Sequence, residues 1–176
     1  MLALVGWLTV PAAADQTDPR LAPLFDKLKS AEAFSIAHAT ERQIWEIWLE
    51  WPGGPEVSDA MERGLRAMRE ANHEAAVAAF SAAVGLAPNF AEAWNKRATV
   101  LYMQGEYAKS IADVRQTLAL EPRHFGALAG LGLINLQLDR KAEALEAFEA
   151  ALEVHPYLPV RFQIDALREA VAGEKI

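Results

Sequence analysis

The chain is predicted to be an all-α solenoid built from helix–turn–helix repeats, and three observations predict it. Pro88, Pro122 and Pro156 follow one another at intervals of 34 residues. Other positions keep the same phase. Phe80, Val114 and Phe148 stand eight residues before each proline, Ala76, Ser110 and Ala144 twelve before, and Ala83, Thr117 and Ala151 five before. Small residues Gly64, Ala98 and Gly132 stand twenty-four before. A period of this length marks stacked helical pairs, each too apolar on one face to stand alone in water. Composition agrees: 52% of the residues are hydrophobic, alanine is abundant and β-branched runs are scarce, which favours helix.

Each element has a local reason. Residues 1–14, Met1 to Ala14, carry no charge, and the apolar run closes on Ala12-Ala13-Ala14 before Asp15. This reads as the apolar core and small-residue cleavage site of a secretory signal. It is too short to span a bilayer, which takes about 20 apolar residues. The expected location is therefore the bacterial periplasm or another exported space, with the cytoplasm as the alternative. Residues 15–55 form a helical pair. Asp18-Pro19 offers an N-cap followed by Pro at the first helical position, and Leu21, Leu24, Phe25 and Leu28 recur at helical spacing. A second helix is expected from Ala31 to Trp51, where Pro52-Gly53-Gly54-Pro55 stops it. Ile44, Trp48 and Trp51 make an apolar stripe that Trp45 and Leu49 widen. A helix this apolar is normally buried, and its expected partner is the first repeat. The alternative is an exposed docking or dimer surface.

The repeats are placed at 57–90, 91–124 and 125–156, within an array spanning 56–156. In each, a small residue on the first helix lets it approach the second, where Phe80 or Phe148 fills the gap. The proline ends each unit, because it lacks an N–H and clashes with the preceding turn. Gly105 permits the tight turn inside the middle repeat. Residues 157–176 supply a capping helix from Pro159 to about Ala172. Val160, Ile164, Leu167 and Val171 form its one apolar stripe, and Gly173 caps its end.

The middle repeat carries the resemblance to a known family. Ala91-Glu92-Ala93-Trp94-Asn95-Lys96-Arg97-Ala98, then Tyr102-Met103-Gln104-Gly105-Glu106-Tyr107, then Leu118-Ala119-Leu120-Glu121-Pro122 is similar to the tetratricopeptide repeat (TPR) pattern. The match covers about residues 57–156 and agrees over three successive copies. It departs where Arg63 and Arg97 replace a large apolar seventh residue, and where Ala71 and Asp139 replace the turn glycine. The chain looks like the small exported proteobacterial members of the family.

The resemblance implies a concave groove lined by the first helix of each repeat, at its second, fifth, ninth and twelfth positions. The expected groove residues are Met61, Leu65 and Met68; Asn95, Thr99 and Tyr102; and Ala129, Leu133 and Leu136, with Ser58, Glu92 and Gly126 at the second positions. Some family members clamp a C-terminal carboxylate there with lysines, arginines and asparagines. Apart from Asn95 and Lys96, those residues are missing here. An apolar groove containing methionine suits an amphipathic helix or apolar peptide. Two states are open: a free groove, or one filled by the N-terminal helices.

Chemistry is otherwise unmarked. Gly130-Leu131-Gly132 lies within a helix and is a packing feature. His38, His73, His124 and His155 lack metal-ligand spacing, and His124 and His155, beside prolines, read as polar loop residues. Glu143, Glu146 and Glu149 fall on an exposed helix face. There is no phosphate-binding loop and no nucleophile elbow. The chain has no cysteine and a net charge of −7, which argues against thiolate chemistry and against nucleic-acid binding. No catalytic activity, cofactor, metal or small-molecule substrate is expected. The expected function is a non-catalytic adaptor for a protein or peptide partner in the bacterial envelope. A self-associating structural subunit (a homo-oligomer) and an accessory factor of an enzyme are the alternatives.

Overall fold

The computed structural model describes residues 16–51 and 53–173. The charge-free run 1–14 and its expected cleavage site lie outside the described residues. The helices in chain order are α1 (Leu21–Lys29), α2 (Phe34–Leu49), α3 (Pro55–Arg69), α4 (His73–Leu86), α5 (Ala91–Met103), α6 (Tyr107–Leu120), α7 (Phe125–Gln137), α8 (Lys141–Val154) and α9 (Ile164–Gly173), with a short 3-10 turn at Pro159–Phe162. Helices α3/α4, α5/α6 and α7/α8 pack as pairs, and α4 on α5 and α6 on α7 join the pairs into an array.

The in-phase small and large residues meet inside each pair. A Cβ placed on Gly64 would collide with the Phe80 ring, and one on Gly132 with the Phe148 ring. In the middle pair Ala98 has a Cβ, and the residue in its cluster is the smaller Val114. The volume given up on one helix is thus taken by the other, as close packing requires. Ser110 replaces alanine in this pair, and its hydroxyl donates to the Ala98 carbonyl at 2.8 Å.

The turns within pairs share one geometry. The N–H groups of Asn72, Glu106 and Arg140 donate to the carbonyls of Ala67, Leu101 and Asn135 at 2.8–2.9 Å. The preceding residue in each case has positive φ: Ala71 at 54°, Gly105 at 76° and Asp139 at 54°. This is a helix C-cap with a left-handed residue. Only Gly105 adopts it without steric cost, and Ala71 and Asp139 each carry about 1 kcal/mol of strain. The seventh-position departure has its own compensation. Arg97 grips Asp113 of α6 at 2.6 and 2.8 Å, reaches Ser81 of α4 at 3.2 Å, and lies over the Trp94 ring. A bidentate ion pair replaces the apolar contact.

Between pairs, proline occupies the second place of a turn closed by the N–H of Phe90, His124 or Leu158 onto the carbonyl of Ala87, Glu121 or His155. The same turn precedes α1, with the Leu21 N–H on the Asp18 carbonyl at 3.0 Å. Asp18 is therefore not the N-cap that its place before a proline suggests. Arg20 holds the cap position, and Asp18 accepts hydrogen bonds from the Arg20 backbone and guanidinium. At the other end the expected single helix from Pro159 is split. A 3-10 turn comes first, and α9 then buries Ile164 beside Phe148. Arg168 on its polar face pairs with Glu149 at 2.7 Å.

The N-terminal pair does not stack on the first repeat. Helices α1 and α2 pack on each other, α1 then meeting α8 and α2 meeting α5. Their shared core joins Leu21, Phe25, Leu28, Ala37, Ile44, Ile47 and Trp48 to Phe125, Ala151 and Leu158. The pair thus lies across the edge where the inter-repeat turns line up. The physical reason is supply of apolar partners. The apolar side chains of α3 are used within the first repeat, whereas Phe125, Ala151 and Leu158 leave an uncovered apolar seat. Trp51, beyond the end of α2, reaches the first repeat, its ring centre 4.9 Å from that of Phe90, and the Gln16 amide donates to the Asn89 carbonyl at 2.6 Å.

A double-mutant cycle checks the small–large pairing. Gly132→Ala overpacks the Phe148 ring and costs about 1–3 kcal/mol, and Phe148→Val leaves a void that costs a similar amount. The double variant, which copies the Ala98/Val114 pair, is expected to lose less than the sum of the two. Additive losses in thermal unfolding would contradict the pairing.

Candidate binding cleft and its aromatic seam

The structure does not assemble the expected groove residues into one strip. Met61 is buried in the core of the first repeat, and Leu65 and Met68 pack against the same cluster. Leu136 packs towards Phe148 and Ile164 under the capping helix. Asn95, Thr99, Tyr102, Ala129 and Leu133 do come together, lining a cleft of about 340 Å³ between α5, α6 and α7. Ala98, Met103, Val114 and Gly130 complete its apolar wall.

The cleft exists because α7 is poor in side chains where it faces α5. Gly126, Ala129 and Gly130 leave the space open, and a Cβ added at Gly130 would meet nothing within 4 Å. Gly132 is the packing glycine of the Gly130-Leu131-Gly132 run, while Gly130 forms the cleft floor. Met103 and Leu133 stand exposed at the rim. Three polar side chains on the wall make internal bonds. Thr99 Oγ1 donates to the Asn95 carbonyl at 2.9 Å, Ser110 to the Ala98 carbonyl, and the Asn95 amide to Glu92 at 2.9 Å. Such a surface takes apolar groups and has no charge to offer an anion.

One end of the inner face is covered by α2. Trp48 stacks on His124 with ring centres 4.1 Å apart and planes 6° from parallel, and both side chains are buried, at 1% and 0% exposure. Trp45 meets the same imidazole edge-on at 5.5 Å. Its ring also lies against Gly126, and the Lys96 ammonium stands 5.0 Å from its centre. The groove is thus neither free nor filled: α2 covers the end near Glu92 and Gly126, and the cleft continues beyond it.

Beneath the indoles lies a polar cluster that the loop reading of the histidines missed. His124 Nδ1 accepts the Ala127 N–H at 3.1 Å, capping α7. The ring proton is then on Nε2, which donates to Glu92 at 2.9 Å. Glu92, 1% exposed, also has the Lys96 ammonium 2.8 Å from its other oxygen. Burial alone would raise the Glu92 carboxyl, but the Lys96 charge and the His124 hydrogen bond hold it below the usual carboxylate range. His155 is buried too. Its Nε2 lies 3.5 Å from Glu41 of α2, and the hydrogen bond from His155 outweighs burial and lowers the Glu41 carboxyl. The signal for both histidines was the repeat phase. His124 shares its slot with Phe90 and Leu158, and His155 shares its slot with Ala87 and Glu121, all of them buried.

Two predictions follow from the seam. Trp48→Ala is expected to cost about 3–5 kcal/mol, and an unchanged thermal midpoint would contradict its burial. Glu92 and Glu41 have folded-state pKa values below their unfolded value of about 4.3. Their contributions to stability are therefore present above that pH and are lost as pH falls through the folded values. The thermal midpoint of Glu92→Gln is expected to fall less steeply than that of the parent chain between pH 6 and 3, and parallel declines would contradict the assignment.

Comparison with known proteins agrees with this architecture. The family model described as tetratricopeptide repeat matches residues 61–115 and 104–159. A TPR repeat-containing protein of Rhizobium etli is 34% identical over 170 residues, covering 93% of this chain and 80% of its own. Among solved structures, MamA superposes with a TM-score of 0.63 at 21% identity, covering 84% of each chain. The first TPR of Spaghetti (RPAP3), bound to the HSP90 peptide SRMEEVD, gives 0.64 at 18% identity, covering 67% of this chain and 94% of its own. With the 34-residue phase and the paired helices, these matches establish that the chain belongs to the tetratricopeptide repeat family, whose domains are protein-interaction modules.

Proposed function

We propose that this protein is a non-catalytic adaptor that holds an apolar segment of a partner protein in the cleft between α5, α6 and α7. The observation that carries this reading is the cleft itself: about 340 Å³ of apolar-walled space on the inner face, left open beside a seam that is otherwise tightly closed. A pocket of this size accepts one or two large apolar side chains. A carboxylate clamp is disfavoured, because Asn95 and Lys96 are both committed to Glu92. The reading also places the adaptor in the bacterial envelope. What supports that is the charge-free run 1–14 ending in Ala12-Ala13-Ala14.

Gly130→Leu tests the cleft. The added side chain fills open space, and replacing a mid-helix glycine favours α7 by roughly 0.8 kcal/mol, so the fold is retained. Capture of the native partner from the source organism is expected to fall at least about tenfold, a loss of 1.4 kcal/mol or more. Undiminished capture by this variant, with its helicity intact by circular dichroism, would remove the cleft from the function. The export reading has a separate test. Natively produced protein should begin near Asp15 by mass spectrometry, and an intact Met1 form in the cytoplasm would end it.

A further inference from the structure

Helix α7 gives Ala129, Gly130 and Leu133 to the cleft, and Leu128, Leu131 and Asn135 to a separate slot on its opposite side. That slot lies between α6, α7 and α8 and holds about 480 Å³. An equivalent slot of about 330 Å³ lies one repeat earlier, between α4, α5 and α6. Each residue lining the earlier slot has its counterpart 34 residues on in the lining of the later one. The earlier slot holds an occupant of the chain's own. The Arg97 guanidinium crosses it to Asp113 at 2.6 and 2.8 Å and donates to the Ser81 hydroxyl at 3.2 Å. In the later slot Leu131 stands for Arg97 and Ala147 for Asp113, so both halves of that ion pair are gone. Arg115 stands for Ser81, and Asn135 stands for the buried Leu101.

Asn135 marks the later slot as a site. It is 6% exposed, as Leu101 is, yet its side-chain amide makes no hydrogen bond among the described residues. A buried amide left unpaired is costly, and this one faces a space from which a ligand can pair it. Arg115, Arg140, Glu143 and Glu146 stand exposed around the opening, and none of them makes an ion pair among the described residues. The charges balance, two of each sign. An anion or a cation alone would meet two like charges, whereas a molecule carrying both signs meets a partner for each.

We propose that this slot binds a free aliphatic α-amino acid as its zwitterion. The ligand carboxylate replaces the one lost at Ala147 and pairs with the guanidinium of Arg115, as Asp113 pairs with Arg97 in the earlier slot. Its ammonium goes to Glu143 and Glu146. The Asn135 amide, donor and acceptor at once, bonds both ends, and the aliphatic side chain rests on Leu131 and Ala147. A peptide backbone in the same place would bring no charge to the arginines or the glutamates.

The test is a titration of L-leucine into the isotope-labelled full chain, followed through the side-chain amide resonances of Asn135. Saturable shifts are expected, with Kd of about 1 mM or tighter. Isocaproate, which is leucine without its ammonium, and isoamylamine, which is leucine without its carboxylate, are each expected to bind at least about tenfold more weakly. Two variants copy the earlier slot: Asn135→Leu, and Leu131→Arg combined with Ala147→Asp, which restores the ion pair and plugs the space. Each is expected to weaken leucine binding at least about tenfold, read from backbone amides of α7. No saturable shift of the Asn135 amide would overturn the proposal, and so would analogues that bind as tightly as leucine. Undiminished binding by the plugged variant would put leucine elsewhere and overturn it equally. If a variant loses helicity by circular dichroism, the parent chain with leucine and its two analogues still decides.

Discussion

The stack of Trp48 on His124 is the contact on which the layout of the inner face depends. The imidazole caps α7 through one nitrogen and bonds the buried Glu92 of α5 through the other, while its face carries the indole of α2. One side chain thus ties together two repeats and the N-terminal pair. Removing the imidazole would deprive the Ala127 N–H of its side-chain acceptor and the buried Glu92 of a donor, which costs more than the net worth of one hydrogen bond. The flat stack on the His124 ring and the seat of Trp45 on Gly126 favour a single seating of α2, because a shift along the edge would lose both ring contacts. Lys96 over Trp45 and Arg123 over Phe25 extend the same seam with cation–π contacts.

From that seating the functional surface follows. Because α2 and α1 use the edge formed by Phe125, Ala151 and Leu158, they occupy the end of the inner face where the inter-repeat turns emerge. The charged part of the face, Glu92 and Lys96, goes to the internal seam, and the part left to solvent is apolar. The open part of the face is thereby apolar, with glycines on α7 making the room.

The array was legible in the sequence because its determinants are local and repeated. Gly64 with Phe80 and Gly132 with Phe148 announce close helix pairs by their phase alone. The proline interval gives the turns. The departures at Arg97 and Ala71 were visible, but their compensations were not, since Asp113 and Ser81 reach Arg97 from two other helices. The stripe of Ile44 and Trp48 said that α2 is buried; it carried no information on what buries it, because several apolar seats suit such a stripe equally. His124 was read from its proline neighbour and not from its phase with Phe90 and Leu158, and so the seam was missed. The groove positions of the family pointed to α3, α5 and α7, whereas the cleft lies between α5, α6 and α7. Only the packing shows that Met61 and Leu136 are taken up by neighbouring cores while Thr99, Tyr102, Ala129 and Leu133 share a cleft.

The placement of the N-terminal pair is tested most directly by nuclear Overhauser contacts of the Trp48 indole in the full-length protein. Ring centres 4.1 Å apart predict strong cross-peaks from the indole to the His124 ring protons and to the Phe125 ring, 5.1 Å away. Cross-peaks from Trp48 to Val57 or Met61 of the first repeat, with none to His124, would contradict the account.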